Sequence, residues 1–299
     1  MKKLTFYVIL LIGISMSSVS WGANARDYIP LPSGTFLFCS YFKHITASSL
    51  FSNGKKVGND IGFSENLGIF RPVYYTNIGK AFYGDGGFTI DPQALIPFGE
   101  GDLDTSSLGG GKTSASGFAD PTVLATFWFV NSPKDKFWVG FSPYFTLPIG
   151  NYDKGKSFNL GGNRWVIKPE LGIVKGFGDR TYLDVIFNGE FYSDNKDYNT
   201  GTGMAKLEQD PLLGVETHLS FDITKQWYVS LDYFYSHGGE QKINGTKVAN
   251  SDADNHGLGV SLFWMIGSNN QLMIEYRDDF AVKNGLGTNT FGARWAYFF

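Results

Sequence analysis

Phe291-Gly292-Ala293-Arg294-Trp295-Ala296-Tyr297-Phe298-Phe299 closes the chain. On alternate positions Phe291, Ala293, Trp295, Tyr297 and Phe299 are apolar or aromatic, and between them stand Gly292, Arg294, Ala296 and Phe298. Successive side chains of a β-strand point to opposite faces, so one face is greasy and the other small or charged. A buried sandwich strand and a lipid-facing barrel strand both carry that pattern. A soluble sheet commonly runs on into a polar tail, whereas here the aromatic residue itself comes last. That ending suits a transmembrane β-barrel, whose apolar band meets lipid and is flanked by aromatic girdles. The other segments decide between the two.

Working back from the end, alternating segments recur at a regular beat. Twelve are expected, over roughly 34–44, 63–76, 81–97, 117–130, 136–149, 162–175, 180–193, 207–221, 226–238, 254–266, 271–282 and 288–299. Each is long enough for a tilted membrane strand of about 9–11 residues. In the ninth, Trp227, Val229, Leu231, Tyr233 and Tyr235 oppose Tyr228, Ser230, Asp232, Phe234 and Ser236. In the eighth, Leu213, Val215, Leu219 and Phe221 oppose Gly214, Glu216, His218 and Ser220. The second is weakest: Arg71 interrupts its greasy face and Pro72 removes a ladder donor.

The connections alternate in length. Tight ones fall at Asn77-Ile78-Gly79-Lys80, 131–135, 176–179, 222–225 and 267–270, and mostly longer polar ones at 45–62, 98–116, 150–161, 194–206, 239–253 and 283–287. Short turns at one end and long loops at the other are the architecture of an outer-membrane barrel. An even strand number puts both termini at the short-turn, periplasmic end. The expected fold is therefore all-β, an up-and-down transmembrane antiparallel barrel of twelve strands in one domain, residues 26–299.

Residues 1–25 read as a signal peptide: Lys2 and Lys3, an apolar run from Leu4 to Met16, and the small-x-small site Ala23-Asn24-Ala25. Losing Lys2 and Lys3 with the leader leaves 23 basic against 28 acidic residues, a net charge near −5. A nucleic-acid partner would want a basic stripe, which is missing. Cys39, the one cysteine, cannot form an internal disulfide and reads as a small strand residue. Aromatics make up 17% of the chain, yet mean hydropathy is −0.13. No stretch of the mature chain is apolar for anything near 18 residues, which excludes a helical membrane protein; a barrel hides its lipid-facing half in alternation.

Four stretches carry a family resemblance: Tyr28-Ile29-Pro30-Leu31-Pro32-Ser33-Gly34-Thr35; Ala119-Asp120-Pro121-Thr122; Tyr144 to Asp153, beginning Tyr144-Phe145-Thr146-Leu147-Pro148; and Asn163-Arg164-Trp165 leading to Pro169-Glu170-Leu171-Gly172. Together they resemble the family of outer-membrane transporters named after the meta-cleavage pathway of phenol degradation. The resemblance implies an outer-membrane barrel of a Gram-negative bacterium that admits small aromatic or hydrophobic compounds. It supplies no catalytic or binding residues. The terminal Trp295, Tyr297 and Phe299 also resemble the C-terminal signal that the barrel-assembly machinery reads.

Catalysis has little support. Of His44, His218, His237 and His256, His218 shares its face with Glu216 and Ser220, and no G-x-S-x-G stretch is present. Gly109-Gly110-Gly111-Lys112-Thr113 lacks the spacing of a phosphate loop. Asp252 and Asp254 read as solvated loop acids rather than a metal site, and no cofactor is expected. Strand parity instead places Arg164, Lys168, Glu190, Glu216, Asp232, Glu275, Arg277 and Arg294 in the lumen as pore-lining groups, with further acids at Asp85, Asp91, Asp120, Glu170, Asp184, Asp210 and Asp279. Charges at bilayer depth persist only against water or a partner. Pro121, Pro143, Pro169 and Pro211 each remove a ladder donor and read as local bends. The expected function is passive passage of small solutes, with lipid, lipopolysaccharide and the assembly machinery as partners; the alternative is a non-transporting surface barrel acting through its long loops.

Overall fold

Alternation on every strand leaves each segment one apolar face and one polar face, and in a bilayer only closure of the sheet satisfies the backbone. The structure, a computed structural model, describes residues 22–79 and 88–299. Twelve strands among the described residues make the wall: β1 Phe36–Ser52, β2 Gly62–Tyr74, β3 Phe88–Asp104, β4 Thr122–Ser132, β5 Phe137–Thr146, β6 Val166–Phe177, β7 Thr181–Tyr192, β8 Leu212–Asp222, β9 Trp227–Gly238, β10 Ala253–Ile266, β11 Asn270–Ala281 and β12 Gly285–Phe298. Each pairs antiparallel with its chain neighbour, and β12 returns to β1. That closing seam runs from Leu37 opposite Phe298 to Phe51 opposite Gly285. Phe299 extends it, its N–H donating to the Phe36 carbonyl at 2.8 Å.

Side-chain facing follows parity. Leu213, Leu231, Val260, Leu272 and Ile274 lie exposed on the outer face, while the intervening Ser220, Ser230, Asp232, Phe263 and Met273 are buried inside. The leader residues Lys2, Lys3 and Leu4 to Met16, together with Lys80 and Asp85, lie outside the described residues.

Two expectations about boundaries are corrected. The stretch 45–62 is not a loop: β1 continues to Ser52, and Lys55–Gly58 folds back on it. Its alternation of Ile45, Ala47 and Leu50 with polar residues prolongs the ladder beyond the lipid band. The third strand is also displaced toward the long-loop end, and Lys112–Phe118 pairs with its outer half. Polar residues such as Glu100 and Asp102 belong to that extramembrane ribbon rather than to a loop. The last long-end connection, 282–284, is short, so the length rule fails there. Above the barrel, Asn195–Asn199, Met204–Gln209, Gln241–Ile243 and Thr246–Lys247 form a separate four-stranded sheet. Pro143 and Pro169 are cross-strand partners, so β5 and β6 both lack a donor at one level.

Leu231, 60% exposed on the outer face, gives the register a direct test. Leu231→Arg should lower folding stability by about 2–4 kcal/mol if the site lies near the bilayer midplane, read by denaturant titration of folding into lipid vesicles.

Candidate functional site

The lumen has two apolar ends and a charged middle. At the long-loop end Leu50, Ile61, Phe63, Leu67, Leu103 and Phe158 cluster. Phe158 comes from the connection after β5 and meets Phe63 edge-on with ring centres 6.2 Å apart. Buried on the same face, between Phe63 and Leu67, is Glu65, whose two oxygens have no hydrogen-bond partner among the described residues. At the short-turn end Tyr28, Val73, Tyr75, Trp128, Trp138 and Val174 form a second cluster. Tyr28 is not part of the wall. It belongs to the segment before β1, which turns into the barrel and plugs it.

Three consecutive residues fasten this plug to three sectors of the wall. Arg26 donates from Nε to Ser220 Oγ at 2.9 Å and from Nη1 to Asp222 Oδ1 at 2.6 Å. Its guanidinium stands 4.2 Å from the Tyr182 ring centre and 4.1 Å from that of Tyr228, between β7 and β9. Asp27 reaches the opposite sector: Arg294 Nη1 of β12 lies 3.1 Å from Oδ1, and Arg71 Nη1 of β2 lies 3.6 Å from Oδ2. Tyr28 turns to β5 and β6, its hydroxyl 2.9 Å from both Ser142 Oγ and Glu170 Oε1. The indole of Trp128 donates to the Tyr28 carbonyl at 2.9 Å.

Glycine makes room for this contact. Gly140 and Gly172 are cross-strand partners on the inner face of β5 and β6, and the Tyr28 ring lies against both. A Cβ on Gly140 would come 2.8 Å from Tyr28 Cδ1, and one on Gly172 would overlap the ring outright. Both positions lie closer than real Cβ contacts allow.

The residues expected to line a pore make the following contacts. Lys168 Nζ donates to Glu170 Oε2 at 2.9 Å and sits 4.2 Å from the Tyr144 ring centre, and the Tyr144 hydroxyl donates to Glu170 Oε1 at 3.1 Å. Asp232 accepts from Ser230 at 2.5 Å and Ser261 at 2.7 Å, and its Oδ1 is 2.7 Å from His218 Nδ1. Glu216 Oε2 faces the other nitrogen of His218, Nε2, at 3.8 Å, while Oε1 accepts from Asn188 at 3.2 Å. Glu275 Oε1 lies 3.3 Å from Lys43 Nζ. Arg277 lies over Phe234, 4.1 Å from the ring centre, with Nη2 3.1 Å from Asp279 Oδ1. Arg294 donates to Gln271 Oε1 at 2.6 Å. Higher up, Arg164 lies over the Tyr192 ring at 4.3 Å and donates to Gln209 Oε1 at 2.7 Å. Glu190 accepts from the Tyr192 hydroxyl at 2.5 Å. Seven of the eight stand on wall strands, and Arg164 comes from a connection. Asp120 and Asp210 lie outside the wall strands: Asp120 accepts the backbone N–H groups of Gly150 and Gly162, and Asp210 pairs with Lys242.

His218 and Asp232 make a dyad, but Nε2 addresses a carboxylate. The Ser230 and Ser261 hydroxyls are bonded to Asp232, and Ser220 Oγ accepts from Arg26 Nε. A cavity of about 20 Å³ separates plug from wall, bordered by Tyr41, Lys43, Arg71 and Tyr144 and by Gly22 and Asn24 of the plug segment. It is large enough for a water molecule. Sequence reasoning missed Arg26, Asp27 and Glu65 as interior groups, and read Arg71 as a flaw in a greasy face when it is the inward partner of Asp27. The signal for Arg71 was available in its parity with Leu67, Ile69 and Val73, all buried inside.

A closed twelve-stranded barrel with a lipid-facing band, a charged interior and short turns at one end is an outer-membrane channel-type barrel. The chain belongs to the family described as "Putative MetA-pathway of phenol degradation", whose model matches residues 46–295. It is similar to an outer membrane channel from Pseudomonas putida F1, at 27% identity and TM-score 0.84, over 93% of this chain and 100% of that one. The transport unit of the autotransporter AIDA-I from Escherichia coli shares the fold at 7% identity and TM-score 0.54, over 99% and 97% of the two chains. No curated protein matches. The protein is an outer-membrane barrel.

Gly172→Val should expel the Tyr28 ring without opening the wall. Hydrogen exchange at the amides of Asp27, Tyr28, Ile29 and Leu31 should then become fast while strand amides keep their protection, and unchanged protection at these four would count against the glycine seat.

Proposed function

We propose that this barrel is a non-catalytic channel for small solutes, closed in the resting state by its N-terminal plug. The observation that carries the reading is the plug itself: a segment held inside the lumen by Arg26, Asp27 and Tyr28, each on a separate set of wall residues. A barrel that serves only as a membrane scaffold gains nothing from a charged interior fitted to a removable segment. Moving the plug would open a path lined by Lys168, Glu190, Glu216, Asp232, Glu275, Arg277 and Arg294, entered past Arg164. Acids outnumber bases over the inner face, so the field within favours cations over anions. Family membership, and the likeness to the channel from Pseudomonas putida F1, support passage of small solutes. For an uncharged aromatic or hydrophobic solute, width and the apolar ends matter more than charge, and the family's name supports that substrate class.

Planar-bilayer recording tests it. The native protein should conduct weakly, Gly172→Val should conduct more, and Glu216→Gln or Glu275→Gln in that background should weaken cation preference. Liposome swelling by neutral aromatics extends the test to uncharged solutes. A folded Gly172→Val barrel that neither conducts nor admits solutes would favour the non-transporting surface barrel, with the external four-stranded sheet as its working part.

Assembly is proposed to depend on the terminal strand, which is recognised and then closes the cylinder. Phe299 lies against Tyr297 and Phe36, with ring centres 4.6 and 5.5 Å away, and is 69% exposed. Deleting it should reduce the amount of folded barrel in the outer membrane, read by heat-modifiable gel mobility; wild-type yield would refute this.

A further inference from the structure

Arg26 is held to the wall in a way that a peptide bond serves poorly. Its backbone nitrogen lies 2.6 Å from Asp184 Oδ2. Asp184 is fully buried on β7, opposite His218 of β8 and Val174 of β6 in the ladder. Among the described residues its other oxygen, Oδ1, has no hydrogen-bond partner. A neutral amide gives this carboxylate one proton and no countercharge, which is a poor environment for a buried acid. The conformation is awkward as well: φ of Arg26 is +70°, in the left-handed region that an L side chain rarely adopts.

One chemical change removes both difficulties. Hydrolysis of the Ala25–Arg26 bond adds water across the amide, leaving a carboxylate on Ala25 and an ammonium on Arg26. The ammonium carries three donors and a positive charge, enough for both oxygens of Asp184. With no carbonyl before it, Arg26 no longer has the φ dihedral that was strained. The bond follows Ala23-Asn24-Ala25, the small-x-small pattern that a secretory leader peptidase cuts.

We propose that leader cleavage after Ala25 creates the α-ammonium of Arg26, and that Asp184 binds this ammonium inside the barrel as the ion pair that seats the plug. Arg26 then holds two acids at once, Asp184 through its terminus and Asp222 through its guanidinium. The losses are small. Asn24 gives up its contacts with Asp27, which keeps both arginines. Ala25 leaves its place beside Tyr228, Phe263 and Met273. The departing residues also uncover lumen: Gly22, whose added Cβ would stand 2.8 Å from Glu216 Oε2, and Asn24 both border the water-sized cavity. Processing thus completes the plug and clears the space above it.

Two measurements decide the matter, and neither reads transport, so their outcome is independent of the channel assignment. Intact-mass analysis of the barrel extracted from outer membranes should give a chain beginning at Arg26; a first residue of Ala23, Asn24 or anything else overturns the proposal. Acetylation of the folded barrel at near-neutral pH, mapped at the N-terminal peptide, should modify the α-amine roughly tenfold more slowly in the native chain than in Asp184→Asn, since reaction requires the ion pair to open. Equal rates would overturn it. If Asp184→Asn fails to fold, inserting one glycine between Ala25 and Arg26 displaces the terminus by about 3.8 Å and leaves the wall untouched. The same loss of protection is expected there, and retained protection would overturn the proposal.

Discussion

Closure of the sheet is the constraint on which everything else in this protein depends. In hydrocarbon an unpaired edge would leave a row of backbone donors and acceptors without partners, each costing several kcal/mol. The β12–β1 seam removes both edges at once, with a continuous register apart from one irregularity near Ala47 and Ser49. Closure also fixes which side chains share an interior. It brings Arg294, nearly at the end of the chain, into the same ring as Arg71 and lets both meet Asp27. No local feature of the sequence assembles those three.

Given a closed wall, the interior must satisfy its own polar groups. Glu170 does so with three hydroxyl or ammonium donors, from Tyr28, Tyr144 and Lys168. Asp232 does so with two serines and a histidine. The plug is written into this network rather than laid over it, because Tyr28 supplies one of the donors Glu170 uses. Glu65 is the contrast: a buried acid among apolar side chains, with no partner for either oxygen among the described residues. Such groups are costly, and where they persist they often mark a place that changes state.

Much of this was legible in the order of residues. A period of two on strand after strand, terminal aromatics and sorted turns give the barrel, its strand number and the facing of regular strands such as β8 and β9. Asp232 and Leu231 could be assigned opposite sides from their positions alone. The plug could not. Residues 26–32 carry no periodicity, and their partners lie as far away as Asp184, Asp222 and Arg294. Three of the four stretches that carry the family resemblance converge on the plug's surroundings: Tyr28 from the first, Tyr144 from the third, Glu170 and Gly172 from the fourth. Only the folded wall brings them together. Strand ends in β1 and β3 were misplaced because ladders that continue beyond the lipid keep the alternation and lose the hydrophobicity, and sequence reading weights both.

The plug and the first wall strand are one covalent chain, with only residues 29–35 between Tyr28 and β1. Its return after any excursion is therefore an intramolecular event. A short tether holds its effective concentration on the order of millimolar or above, whatever the protein's abundance in the membrane. Individually modest contacts then suffice to keep the lumen shut at equilibrium. If the plug moves as proposed, the tether itself is the restoring element.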